Sequence, residues 1–177
     1  MRFLKKWTSC IFSFIAGVIT LALSACSGMV TSNILAGKST TKAFEVITDT
    51  DLLKTAEQLG VESKFATMKA FSIILMVVAV LLLVYSIILL LKNLNVIKSK
   101  SKALDIVGWT LVALFLLSTI AVLVSSNVYA DAMMATTTGR MLQLSAKVGF
   151  YQPFMLGTGI VLAIITTVFA LLKRKDA

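Results

Sequence analysis

Four stretches of the chain, residues 7–37, 70–91, 106–130 and 148–172, contain no charged side chain. A helix needs about 20 predominantly apolar residues to cross the roughly 30 Å hydrocarbon core of a bilayer, and each stretch is long enough. The chain therefore reads as an integral membrane protein. The expected fold is all-α: a four-transmembrane-helix antiparallel bundle with spans over about 8–30, 68–91, 106–128 and 153–172, making one membrane domain of residues 1–177. Two outer loops, about 31–67 and 129–152, are expected to carry short amphipathic helices, and a turn over about 92–105 joins the second and third spans.

Charge placement orients this arrangement. The net charge of +9 is concentrated beside the spans: Arg2, Lys5 and Lys6; then Lys92, Lys98, Lys100 and Lys102; then Lys173, Arg174 and Lys175. With Asp105 and Asp176 these three segments carry a net +8, whereas the two longer loops carry a net +1. Short basic segments stay on the cytoplasmic side, so both termini and the 92–102 turn are expected inside and both longer loops outside. This distribution explains the basicity without nucleic acid, leaving anionic headgroups as the secondary partner. A hydrophobic share of 58% against 14% charged residues agrees with that reading, because soluble domains run nearer half and a quarter.

The two cysteines, Cys10 and Cys26, both lie in the first apolar stretch. On one continuous helix they stand about 24 Å apart, far beyond disulfide reach. The sequence Leu23-Ser24-Ala25-Cys26, preceded by a basic start and an apolar run, resembles the lipobox of a bacterial lipoprotein signal peptide. That resemblance covers about the first 28 residues, implies cleavage before Cys26 with lipidation of that residue, and would leave three helices plus a lipidated Cys26. The alternative keeps the segment as the first span. Apolar character continues past the lipobox through Met29, Val30, Ile34 and Leu35, and Ser9, Ser13 and Gly17 repeat every four residues, as closely packed helices in lipid require.

Further along, residues 30–36 leaving the first span echo residues 124–130 leaving the third, suggesting two related hairpins. The stretch 36–41 is small and polar and reads as irregular chain. Asp49 or Thr50 is placed to cap a helix whose Leu52, Leu53, Ala56 and Leu59 share a face and which Gly60 closes. The signal of 44–48 fits a strand or a helical turn equally. The loop 131–147 is apolar enough, through Met133, Met134, Met141, Leu142 and Leu144, to pack on the first loop or on headgroups. Pro153 suits the first turn of the last helix. That helix carries Gly157, Gly159, Ala163 and Thr167, the last three at small-xxx-small spacing, as its packing surface.

No catalytic constellation is present in this pattern. The chain has no His, the four uncharged stretches contain no Asp, Glu, Lys or Arg, and no nucleophile and base fall into a motif. The loop acids Glu45, Asp49, Asp51, Glu57 and Glu62 alternate with Lys38, Lys42, Lys54, Lys64 and Lys69, the pattern of a solvated salt-bridged face. No enzyme, cofactor or metal site is expected. The expected function is a small bacterial plasma-membrane protein with a structural or accessory role, binding a membrane-protein partner or further copies of itself. The alternatives are an oligomeric pore or transporter component, and a membrane-embedded lipoprotein processed at Cys26. The bundle resembles tetraspan proteins in architecture alone, without their Cys pairs, and so implies no family.

Overall fold

A computed structural model describes residues 2–34, 37–94, 96, 101–141, 143–149 and 151–175; for 2–6, 34, 37, 101–102, 151 and 169–175 it describes the backbone alone. In chain order the elements are α1 (Arg2–Cys26), β1 (Gly28–Ile34), β2 (Gly37–Lys42), α2 (Ala43–Thr48), α3 (Thr50–Gln58), α4 (Glu62–Asn93), α5 (Ser101–Ala135), α6 (Thr137–Met141), β3 (Ser145–Val148) and α7 (Tyr151–Lys175). Leu35, Ala36, Lys98, Lys100, Leu142 and Asp176 lie outside the described residues, as do the side chains of Arg2, Lys5, Lys6, Lys102, Lys173, Arg174 and Lys175.

The chain is mostly helical and membrane-compatible. Three helices are long and apolar enough to cross a bilayer: Trp7–Cys26, Glu62–Asn93 and Ala103–Ala135. The described apolar part of α7 is shorter, Gln152–Val168. Helix α1 packs on α4, α4 on α5, α5 on α7, and α7 returns to α1 along the thinnest of the four seams. Helix α4 starts at Glu62, beyond the uncharged stretch, because Val61, Phe65 and Met68 extend its buried face into the cap. Phe65 meets Tyr129 of α5 there, ring centroids 5.6 Å apart.

The all-α expectation is corrected by a three-stranded antiparallel sheet in the order β2-β1-β3. Helix α1 stops at Cys26 rather than near residue 30. Met29 and Val30, apolar enough to extend the helix, are buried as the start of β1. The stretch expected to be irregular supplies β2, whose Thr-rich sequence suits a pleated surface. The second loop crosses to the first through β3, pairing Val30 with Val148 and Ser32 with Ala146. The echo between 30–36 and 124–130 has no structural counterpart: Val30 to Ile34 are in a strand, while 124–130 stay inside α5.

Residues 44–48 form α2, entered by a capping box in which Lys42 N–H donates to Glu45 Oε2 at 2.8 Å. Asp49 caps α3 by accepting from Asp51 N–H at 2.8 Å, and Gly60 closes it with a positive φ of 68°. Ala56 is buried and Leu52, Leu53 and Leu59 pack on the core, so the amphipathic face of α3 covers the end of the bundle. Helix α6 follows α5 in the second loop, with Gly139 buried against the backbone of Met133.

Candidate functional site

Strand pairing sorts the side chains of the sheet onto two faces, because neighbours along a strand alternate and partners across it share a side. One side is made of the rows Thr41–Val30–Val148 and Ser39–Ser32–Ala146; Val30 and Ala146 are buried there. The other side is made of the rows Thr40–Thr31–Lys147 and Lys38–Asn33–Ser145. Asn33, Lys38, Thr40 and Lys147 of that side are exposed, and Thr31 and Ser145 are half-buried. The sheet thus turns a hydroxyl- and amide-rich face with two lysines to its surroundings. Residues from both loops share that face, since β1 lies between a strand of its own loop and one of the other.

The platform is fixed to the helices from below. Met29 sits at a register shift between Gly28 and Val30 that interrupts the alternation, so it is buried toward the helices beside Val30; its sulfur is 3.8 Å from Ser72 Oγ of α4, and its carbonyl accepts from Gly149 N–H at 2.8 Å. A Cβ on Gly149 would overlap the carbonyl oxygen of Gly28, so only glycine allows the chain leaving β3 to pass this close to the start of β1. Below Met29 the interior is unusually rich in hydroxyls. Ser13, Thr20, Ser24, Ser72, Ser118, Thr119, Ser125 and Ser126 are buried. Most donate to a carbonyl of their own helix, as Thr20 does to Ala16 at 2.7 Å and Ser126 to Val122 at 2.7 Å. A hydroxyl satisfied in this way costs little in a dry interior and keeps the helix surface narrow.

Contacts of another kind tie helix to helix. Cys10 Sγ donates to Ser86 O at 3.1 Å, Tyr85 Oη to Leu104 O at 3.1 Å, and Gln152 Nε2 to Ser126 Oγ at 2.7 Å. Gln152 is fully buried, and its Oε1 has no hydrogen-bond partner among the described residues. Sequence reasoning passed over Gln152 and Gly149. The available signal was a lone amide, with a glycine three residues before it, opening an otherwise apolar segment.

The small residues singled out in the sequence take different roles. On α1, Ser13 is buried and Ser9 half-buried, and a Cβ on Gly17 would come within 2.7 Å of Leu83 and 3.0 Å of the Ala79 carbonyl oxygen. Gly17 is thus a point of close approach between α1 and α4. Among the described side chains of α7 the buried ones are Gln152, Met155, Gly159 and Leu162, a helical stripe that includes only one of the expected small residues. Gly159 faces Phe115 and Leu116 of α5, whereas Ala163 is half-buried beside the core and Thr167 is exposed. Gly157 meets nothing within 4 Å; it lines an open apolar groove of about 530 Å³ between α1 and α7, with Phe12, Ile15 and Leu162. Among the described residues α7 therefore approaches α5 closely at Gly159, and the small-xxx-small spacing does not continue as one contact to the exposed Thr167. Cys26 is exposed as a free thiol at the last turn of α1, and Cys10 is free and buried. Among the described residues no three His, Cys, Asp or Glu side chains come together as a metal-binding group.

Compared with known proteins, the chain matches no family model, no curated protein and no solved structure. The functional reading therefore stands on the geometry alone.

Proposed function

We propose that this is a multi-pass protein of a bacterial plasma membrane with a structural or accessory role, presenting the polar face of its outer sheet to a membrane-protein partner. The observation that carries this reading is the platform itself: two loops joined through β1, fastened to the helices by Met29, with Thr31, Asn33, Lys38, Thr40, Ser145 and Lys147 on its free side. Such a surface is preformed, which lowers the ordering cost of recognition. It carries no nucleophile with a base, and so the reading assigns it binding rather than catalysis. The pore alternative draws less support, because the hydroxyls that would line a path donate instead to their own helices.

In this reading α7 is the fourth span. Its 25 residues reach about 37 Å and pack beside α5 and α1. The N-terminal segment is retained, since Gly17, Cys10 and Thr20 commit α1 to the bundle, and a cut before Cys26 would remove that whole wall. The bias of basic residues sets both termini in the cytoplasm, and the lipobox-like stretch points to a bacterial membrane. Alkaline phosphatase fused after Gly139 is expected to be active and after Lys100 inactive; the reverse pattern inverts the topology. A photo-crosslinking residue at Thr40 is expected to capture one reproducible heterologous protein, while the same probe at lipid-facing Val77 does not. Adducts only between copies of the chain, together with ion flux in liposomes, would replace this reading with the pore.

A further inference from the structure

A second groove, of about 400 Å³, runs down the outside of the molecule between α4 and α5. Its α4 wall is Lys64, Thr67 and Phe71, and its α5 wall includes Leu117, Ala121 and Val128. The two walls change character together. Lys64 stands in the first turn of α4, in the part of the helix that projects beyond the uncharged stretch, and from Phe71 downward the lining is apolar apart from Ser125. From Val128 to Leu117 the groove descends about 16 Å, which is about half the hydrocarbon core, or one leaflet.

The mouth carries separated charges. Lys64 is exposed and makes no ion pair among the described residues. Asp131 follows Val128 by three residues and, by helical spacing, continues the stripe of Leu117, Val124 and Val128 at the top of α5; it is exposed and likewise unpaired. Glu62 and Lys69, the nearest other charges on α4, lie about 160° and 140° around that helix from Lys64 and so off the groove. One cation and one carboxylate above a leaflet-deep apolar channel complement a headgroup that carries one phosphate and one ammonium.

The geometry points to a binding site for a single zwitterionic phospholipid, its phosphate on Lys64, its ammonium toward Asp131 and an acyl chain along Ala121 and Leu117. The site requires α4 and α5 to lie in the membrane and is independent of any protein partner. A bilayer supplies the ligand at high local concentration, so a selective site binds one lipid longer than its neighbours rather than capturing it from water.

Native mass spectrometry of the full chain, stripped of lipid and re-equilibrated with equal amounts of phosphatidylethanolamine and phosphatidylglycerol, tests this. The wild type is expected to retain one phosphatidylethanolamine in preference. Lys64→Glu is expected to weaken that retention about tenfold, the effect of one charge-assisted hydrogen bond. Ala121→Trp, which fills the channel without altering the mouth, is expected to abolish it. Lys69→Glu makes the same charge change off the groove and should leave it intact. If either groove variant folds poorly, Lys64→Gln and Ala121→Leu give the same contrast in milder form. Retention unchanged in the groove variants, equal loss in Lys69→Glu, or a preference for phosphatidylglycerol would each overturn the assignment.

Discussion

The long helices and the cap above them both bury apolar residues but expose opposite kinds. Along α4 the large side chains Ile73, Ile74, Val77, Val80, Leu81, Val84 and Ile87 face outward, while Leu75, Val78 and Leu82 turn in together with the small Ser72, Ala79 and Ser86. In the cap Met29, Val46, Ala56 and Val61 are inside, and Lys38, Thr40, Asp51 and Glu57 are outside. One rule produces both patterns, because each surface matches its solvent. The consequence for stability differs. Apolar burial drives the cap together, at about 25 cal/mol per Å² removed from water. Between helices in lipid that drive is missing, since hydrocarbon is as apolar as leucine, and association depends on how closely the backbones fit. Deleting volume should therefore injure the cap, and adding volume should injure the helices.

The largest effect is expected from Met29→Ala. It empties the junction between sheet and bundle, and a buried Met to Ala change costs about 2–5 kcal/mol. Faster proteolysis within 28–42 at unchanged helical content would show the cap opening by itself. A loss below about 1 kcal/mol would mean that burial does not hold it, and the comparison would break. Next comes Gly17→Leu, where the neighbours are Leu83 and the backbone of Ala79. Overpacking of this kind costs about 1–3 kcal/mol, to be read as an easier transition in detergent unfolding. Wild-type behaviour would mean that α1 sits farther from α4 than described.

The smallest effect sharpens the contrast by its sign. Gln152→Leu removes a hydrogen bond to Ser126, and such bonds within membranes average about 0.6 kcal/mol. It also removes a buried carbonyl oxygen without a partner, whose desolvation costs about 1–3 kcal/mol. The second term is larger, so the variant is expected to unfold no more readily than the wild type and to gain about 0.4–2.4 kcal/mol. A clear destabilisation would show that Oε1 has a partner in the membrane, such as a bound water.

How legible the fold was in the sequence depended on the range of the signal. Uncharged runs mark α4 and α5 directly because exclusion of charge from lipid acts on each segment alone. The cap on α3 was equally local: Asp49, the stripe of Leu52, Leu53, Ala56 and Leu59, and Gly60 lie within twelve residues. The sheet was not legible. Val30 and Val148 meet across more than a hundred residues, and nothing near either one announces the other. Residues 28–34 are apolar at one end and hydroxyl-rich at the other, which satisfies the end of a membrane helix as well as an outer strand. The packing surface of α7 was half legible: Gly159 was found from its size, but the face it belongs to runs through Gln152, Met155 and Leu162.

The sequence by itself determined that the chain carries long apolar helices compatible with a membrane and where α3 is capped and closed, because solvent exclusion and helix capping act within a segment. The tertiary structure decided that the two long loops share one sheet, that Met29 closes the bundle, and that Gly159 of α7 makes a tight helix contact. Those outcomes depend on which surfaces remain to be covered once the helices have met, and that is a property of the assembled chain rather than of any stretch of it.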